Sequence, residues 1–158
     1  MVHLIALFLC AFSSLLCAEE SDYKFAGRHF LASYMGCDLK AIGDVEGMIH
    51  AMDAAVKASG ATVLDEAHYT FPPNGLTIVY LLSESHASLH TYPEHGACFV
   101  DLFTCGDRCS AEKFDEALRF YLKPQEVSAR LFLRNESVEE AVYSIHKEPL
   151  FSLGNCIR

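Results

Sequence analysis

The sequence predicts an α+β domain: a two-layer sandwich of a mainly antiparallel sheet with two helices on one face. Six short segments alternate or concentrate apolar residues as strands do, two longer segments repeat them at helical spacing, and turn-forming tetrapeptides join successive strands. With 158 residues, 51% of them hydrophobic, the chain fits one compact domain, or one domain behind a removable leader. The expected division is a leader over 1–20, a domain over 25–135 and a divergent tail over 136–158.

Leu4 to Phe12 is a continuous apolar run, followed by Ser13-Ser14-Leu15-Leu16-Cys17-Ala18 and acidic Glu19-Glu20. It resembles the apolar core of a signal peptide and is too short for a stable membrane span. Against export, the preceding residues carry no Lys or Arg, and a cut after Ala18 places Leu16 where a small residue is preferred. The segment leaves three readings open: an export signal, an uncleaved membrane anchor, or a spurious upstream start. Asn135-Glu136-Ser137 matches a glycosylation sequon that matters only in a secretory route.

Arg28 to Tyr34 alternates as a strand, and Gly36-Cys37-Asp38 breaks it. Val45, Met48, Ile49, Met52, Ala55 and Val56 then recur at helical spacing, with Asp44 as N-cap and Gly60 as stop. Ala61 to Phe71 and Leu76 to Leu82 read as strands joined by Pro72-Pro73-Asn74-Gly75, where proline fixes φ and Asn-Gly accepts positive φ. His86 to Tyr92 and Ala97 to Thr104 form the next pair, joined by Pro93-Glu94-His95-Gly96, so a meander is the simplest order. Ser110 caps a second helix over Ala111 to Leu122, with Phe114, Ala117, Leu118 and Tyr121 as its buried stripe. Lys123-Pro124 ends it, and Val127 to Leu133 supplies another strand. From Glu139 onward the tail shows no period.

Helices on one face leave the opposite face of the sheet needing cover, which a second copy supplies most simply. A face-to-face homodimer, four layers deep in the order αββα, is therefore expected.

The formal charge of −9 opposes binding to nucleic acid, since no Lys/Arg stripe is present to displace counterions from phosphate. The seven cysteines form no regular framework and are expected to be mostly reduced. Cys105-x-x-x-Cys109 lacks a second Cys or His pair at finger-like spacing. His86, His90 and Glu94 or His95 offer zinc-type donors, but no metal is assigned; His29, His50 and His68 are read as structural.

The chemistry concentrates between Ser83 and Gly96, where Glu84, Ser85, His86, His90 and Glu94 crowd one hairpin, with Cys105 in the adjoining strand. Gly27-Arg28-His29, Gly36-Cys37-Asp38, Gly60-Ala61-Thr62, the Phe71 to Gly75 turn, Ser83-Glu84-Ser85-His86, Leu89-His90-Thr91, Pro93-Glu94 and Asp101-Leu102-Phe103-Thr104-Cys105-Gly106 carry a family likeness. Through them the chain resembles the small bacterial and archaeal pyruvoyl-dependent S-adenosylmethionine decarboxylases over roughly Phe25 to Leu133.

The resemblance implies that the precursor cuts itself between Glu84 and Ser85. Ser85 attacks the preceding carbonyl, the amide becomes an ester, and β-elimination driven by His90 leaves a residue that hydrolyses to a pyruvoyl cofactor. Such a group is an electron sink for decarboxylation. The resemblance makes Cys105 the proton donor, Phe71 the aromatic stacked on adenine, Glu94 the carboxylate on the ribose hydroxyls and Thr77 a processing support at a serine position. The implied product is the aminopropyl donor for spermidine biosynthesis, made by a homodimer of processed protomers. Such an enzyme works in the cytoplasm, whereas the leader points to export or anchoring.

Ser33, Met35, Ile78, Tyr92 and His95 depart from the family's usual residues, which keeps pyruvoyl-dependent arginine or ornithine decarboxylation, or a non-catalytic regulatory or binding paralogue, as alternatives. Strand geometry adds a constraint. His86, Ser88 and His90 share one face of a regular strand and Ser85 the other, so Ser85 and His90 meet only through a bend or across two protomers.

Overall fold

Strand β1 (Gly27–Met35) opens the computed structural model, which describes residues 26–105, 108–134 and 141–144. Helices α1 (Leu39–Gly43) and α2 (Val45–Ser59) follow, then β2 (Val63–Phe71), β3 (Gly75–Leu82) and β4 (Ser85–Tyr92). A 3-10 turn at Pro93–His95 leads into β5 (Ala97–Cys105), and α3 (Ala111–Leu122), β6 (Glu126–Arg134) and β7 (Ala141–Ser144) complete the described elements. All seven strands join one antiparallel sheet in the order β2-β3-β4-β5-β1-β6-β7. The predicted α+β class is the one observed.

The helices form where local chemistry starts and stops them. Asp44 accepts a hydrogen bond from the Gly47 amide at 3.0 Å, and Gly60, at φ 87°, ends α2 in the left-handed conformation that costs glycine little. Ser110 accepts from the Lys113 amide at 3.2 Å to open α3, which Lys123 and Pro124 end. Met48, Met52 and Val56 of α2 and Phe114, Leu118 and Leu122 of α3 are buried against Phe30, Ile78, Leu89 and Leu102 of the sheet. Within this core Tyr34 donates a 2.6 Å hydrogen bond to Asp115.

Three features depart from the sequence expectation. Helix α1 was not expected; Asp38 nucleates it by accepting from the amides of Lys40 and Ala41, and five residues are too few to display a period. The meander holds from β2 to β5, but β1 is inserted between β5 and β6. The tail segment contributes β7, paired with β6 from Arg130↔Ser144 to Leu133↔Ala141. The leader, the sequon and Cys10, Cys17 and Cys156 lie outside the described residues. Among the described residues no helix is long and apolar enough to cross a membrane.

Burial alternates along the strands. Phe30, Ala32 and Tyr34 face the helices, while Leu31 and Met35 are 38% and 40% exposed on the other side. Val79, Leu81 and Phe99 share that open face, where every predicted reactive histidine of β4 also emerges.

Candidate active site

β3 and β4 are joined by the two residues Ser83 and Glu84, with Leu82 paired to Ser85. This tip is fastened on three sides. The Ser83 amide donates to the Thr62 carbonyl at 2.9 Å, the Thr62 amide to the Glu84 carboxylate at 2.9 Å, and the Cys105 amide to the Glu84 carbonyl oxygen at 2.9 Å. The last bond aims a backbone donor at the carbonyl that would carry negative charge if Ser85 attacked it.

Ser85 adopts φ 154°. A residue with a Cβ rarely takes this conformation, and in a strand it costs on the order of 1–3 kcal/mol. The rotation carries Cβ to within about 35° of eclipsing the Glu84 carbonyl carbon about the N–Cα bond, whereas ordinary strand dihedrals hold it far off. A hydroxyl closing a five-membered ring onto the preceding carbonyl needs such a small torsion. Ser85 Oγ also lies 3.2 Å from His86 Nδ1.

A second cluster forms near the far end of β4. Thr77 pairs with His90 across β3 and β4, and its hydroxyl meets His90 Nδ1 in a short hydrogen bond. The Phe71 ring lies 5.9 Å from His90, which stands 4.6 Å from Tyr92. Phe71 is 43% exposed, so part of its ring is open to a ligand. Glu94 follows in the 3-10 turn, its carboxylate 3.9 Å from His95 Nε2.

The predicted residues thus divide into two sets. Glu84, Ser85 and Cys105 share the β3–β4 tip; Phe71, Thr77 and His90 gather toward the opposite end of the hairpin, with Glu94 just beyond β4. Five strand residues separate Ser85 from His90, roughly 17 Å at about 3.3 Å per residue. The backbone does turn at Ser85, but the turn delivers its hydroxyl to His86.

Cys105 is partly exposed, while Cys37, Cys98 and Cys109 are buried, and all four are free thiols. Burial pushes the Cys37 thiol up to about 11 and raises those of Cys98 and Cys109, so these three resist ionisation.

The structure also assembles a group that the sequence reading missed. His29 Nε2 and His86 Nε2 lie 3.5 and 4.0 Å from Asp101 Oδ2, Ser88 donates to Asp101 Oδ1, and the Phe103 ring stands 5.3 and 5.6 Å from the two imidazoles. One ring nitrogen of each histidine and one Asp101 carboxylate oxygen all lie within 4.8 Å of one another. The set weighed from sequence does not assemble, because His86 faces Asp101 whereas His90 faces Thr77. His29 was read as structural because its proximity to Asp101 depends on β1 lying beside β5, which a simple meander does not provide.

Comparison with known proteins places this helix-backed antiparallel sheet, with its strained serine at a fastened hairpin tip, among decarboxylases made as proenzymes. The model of the S-adenosylmethionine decarboxylase family matches residues 28–135. An S-adenosylmethionine decarboxylase proenzyme of Thermoplasma volcanium is 40% identical over 114 residues, covering 72% of this chain and 88% of that protein. One from Aquifex aeolicus is 37% identical over 118 residues, covering 75% and 87%. The crystal structure of the adenosylmethionine decarboxylase from Aquifex aeolicus superposes with a TM-score of 0.66 at 36% identity, covering 75% of this chain and 98% of that one. The chain belongs to the S-adenosylmethionine decarboxylase family.

Proposed function

We propose that the chain is a self-processing, pyruvoyl-dependent decarboxylase of S-adenosylmethionine. The observation that carries this reading is the Glu84-Ser85 bond itself: its carbonyl accepts from the Cys105 amide at 2.9 Å while Ser85 holds φ 154°. In the precursor, Ser85 Oγ attacks the Glu84 carbonyl carbon and the Cys105 amide stabilises the oxygen as charge develops. The C–N bond then breaks to leave an ester. His90 removes the Ser85 Cα proton, elimination releases the Glu84 carboxylate as the end of the first chain, and water converts the dehydroalanine left at position 85 to a pyruvoyl group with loss of ammonia.

A pyruvoyl group at position 85 supplies an electron sink when the substrate carboxylate leaves. In this reading Cys105 returns a proton to the substrate α-carbon, and its partial exposure suits a thiol that meets substrate. Phe71 offers a ring face to the adenine, and Glu94 offers its carboxylate to the ribose hydroxyls.

The working form in this reading is a homodimer packed through the open sheet faces. The roughly 17 Å between Ser85 and His90 within one protomer supports a site completed by His90 of the second copy. Exposed Leu31, Val79, Leu81 and Phe99 on that face support its burial. The substrate and the need for a reduced Cys105 place the enzyme in the cytoplasm.

Purified protein is expected as two fragments broken between Glu84 and Ser85, with Ser85→Ala remaining whole. Carboxyl-labelled S-adenosylmethionine is expected to release carbon dioxide where labelled arginine and ornithine do not. A full-length wild-type band without a reducible carbonyl would overturn the proposal.

A further inference from the structure

His86, Asp101 and His29 were given no part in this chemistry, yet they adjoin the bond to be cut. Neighbouring residues in a regular strand point to opposite faces, so a serine hydroxyl does not normally meet the next residue's ring. The contact exists here because Ser85 departs from strand geometry, placing Oγ 3.2 Å from His86 Nδ1. On the other side of the ring, His86 Nε2 faces Asp101 Oδ2 at 4.0 Å. Asp101 is fixed by Ser88, which donates to Oδ1 and leaves Oδ2 turned toward the imidazoles. Phe103, 5.6 Å away, packs beside the His86 ring.

We propose that His86 is the base that activates Ser85 for self-cleavage, with Asp101 as its positioning residue. At 4.0 Å the Asp101 carboxylate acts on the His86 ring through its charge, which favours a proton on Nε2 and leaves Nδ1 to accept. His86 Nδ1 takes the Ser85 hydroxyl proton as Oγ bonds to the Glu84 carbonyl carbon. The bond between the Glu84 carbonyl carbon and the Ser85 nitrogen then breaks, and His86 returns the proton to that nitrogen, which becomes the free amine of the ester. Nothing is oxidised or reduced, and the proton count is unchanged. The order serine, imidazole, carboxylate is the arrangement that activates a hydroxyl nucleophile. His86 thereby serves the acyl shift and His90 the later elimination, dividing between two histidines the proton transfers that one histidine about 17 Å away could not make within a protomer.

This inference rests on the self-processing reading, and one experiment separates their failures. Full-length precursors are followed from synthesis by the conversion of one chain into two, with hydroxylamine added to part of each sample to cut any accumulated ester. Wild type is expected to convert. His86→Gln and His86→Asn are expected to convert on the order of 100-fold more slowly, with no additional cutting by hydroxylamine, because the slowed step precedes the ester. Added imidazole is expected to restore conversion of His86→Ala, a recovery that an unfolded chain cannot give. Asp101→Asn is expected to slow conversion when His86 is present and to have no further effect on His86→Gln, whereas a purely structural role would slow both. Conversion of His86→Gln at the wild-type rate, or prompt cutting of it by hydroxylamine, would overturn the role of His86. An intact wild-type chain would instead overturn self-processing as a whole.

Discussion

At the scale of single residues, the hairpin gives each histidine of β4 a different neighbour, Ser85 for His86 and Thr77 for His90. His90 is held by Thr77 and flanked by Phe71 and Tyr92. Removing the Thr77 hydroxyl takes away about 1 kcal/mol of orientation, so Thr77→Val is expected to lengthen the half-time of precursor conversion roughly fivefold. Thr77→Ser keeps the hydroxyl and is expected to convert as wild type does, measured on the same gels. The family motif singles out Ser85, His90 and Cys105 in the sequence. The His29–His86–Asp101 group was not legible, because its members lie in three strands and only the register Ser88↔Asp101 and His29↔Phe103 brings them together.

At the scale of elements, α2 and α3 were readable to within a residue because each carries a polar cap, a helical apolar stripe and a definite stop. α1 and β7 span five and four residues, too short for any period to rise above chance. The contact between the two long helices also hides in the sequence. Gly47 sits on α2 where a Cβ would collide both with the Tyr121 hydroxyl of α3 and with the Asp44 carboxylate that caps α2, and the Tyr121 hydroxyl donates to the Ala41 carbonyl at 3.3 Å. Gly47→Ala is therefore expected to destabilise the fold by about 1–3 kcal/mol despite alanine's better helix propensity. Tyr121→Phe should recover part of that loss in the double variant, as read from urea unfolding midpoints at unchanged slope.

At the scale of the whole molecule, the open sheet face decides how complete a site one chain can form. A mixed population offers a direct check: Ser85→Ala and His90→Ala precursors, each uncut alone, are produced together. If the site is shared, the His90→Ala chain is expected to be cut, since its own Ser85 then meets the intact His90 of its partner. Separation of the two differently tagged chains by mass reads the result. No cutting in mixed dimers would confine the reaction to a single protomer. The uncovered face was legible from the count of helices alone, but which residues it would bring together was not, because that depends on the placement of β1.

That placement matters again if the chain is broken at the proposed Glu84-Ser85 bond. β1 and β3 then belong to the first fragment, while β4, β5 and β6 belong to the second. Because β1 is wedged between β5 and β6, and β3 remains zipped to β4, the fragments are interlaced across three ladders and cannot part by the loss of any one. The tether that set the local concentration of β3 around β4 during folding is gone. Refolding of the cut protein after full denaturation would be an encounter between two molecules, with a rate that depends on protein concentration where that of the uncut precursor does not.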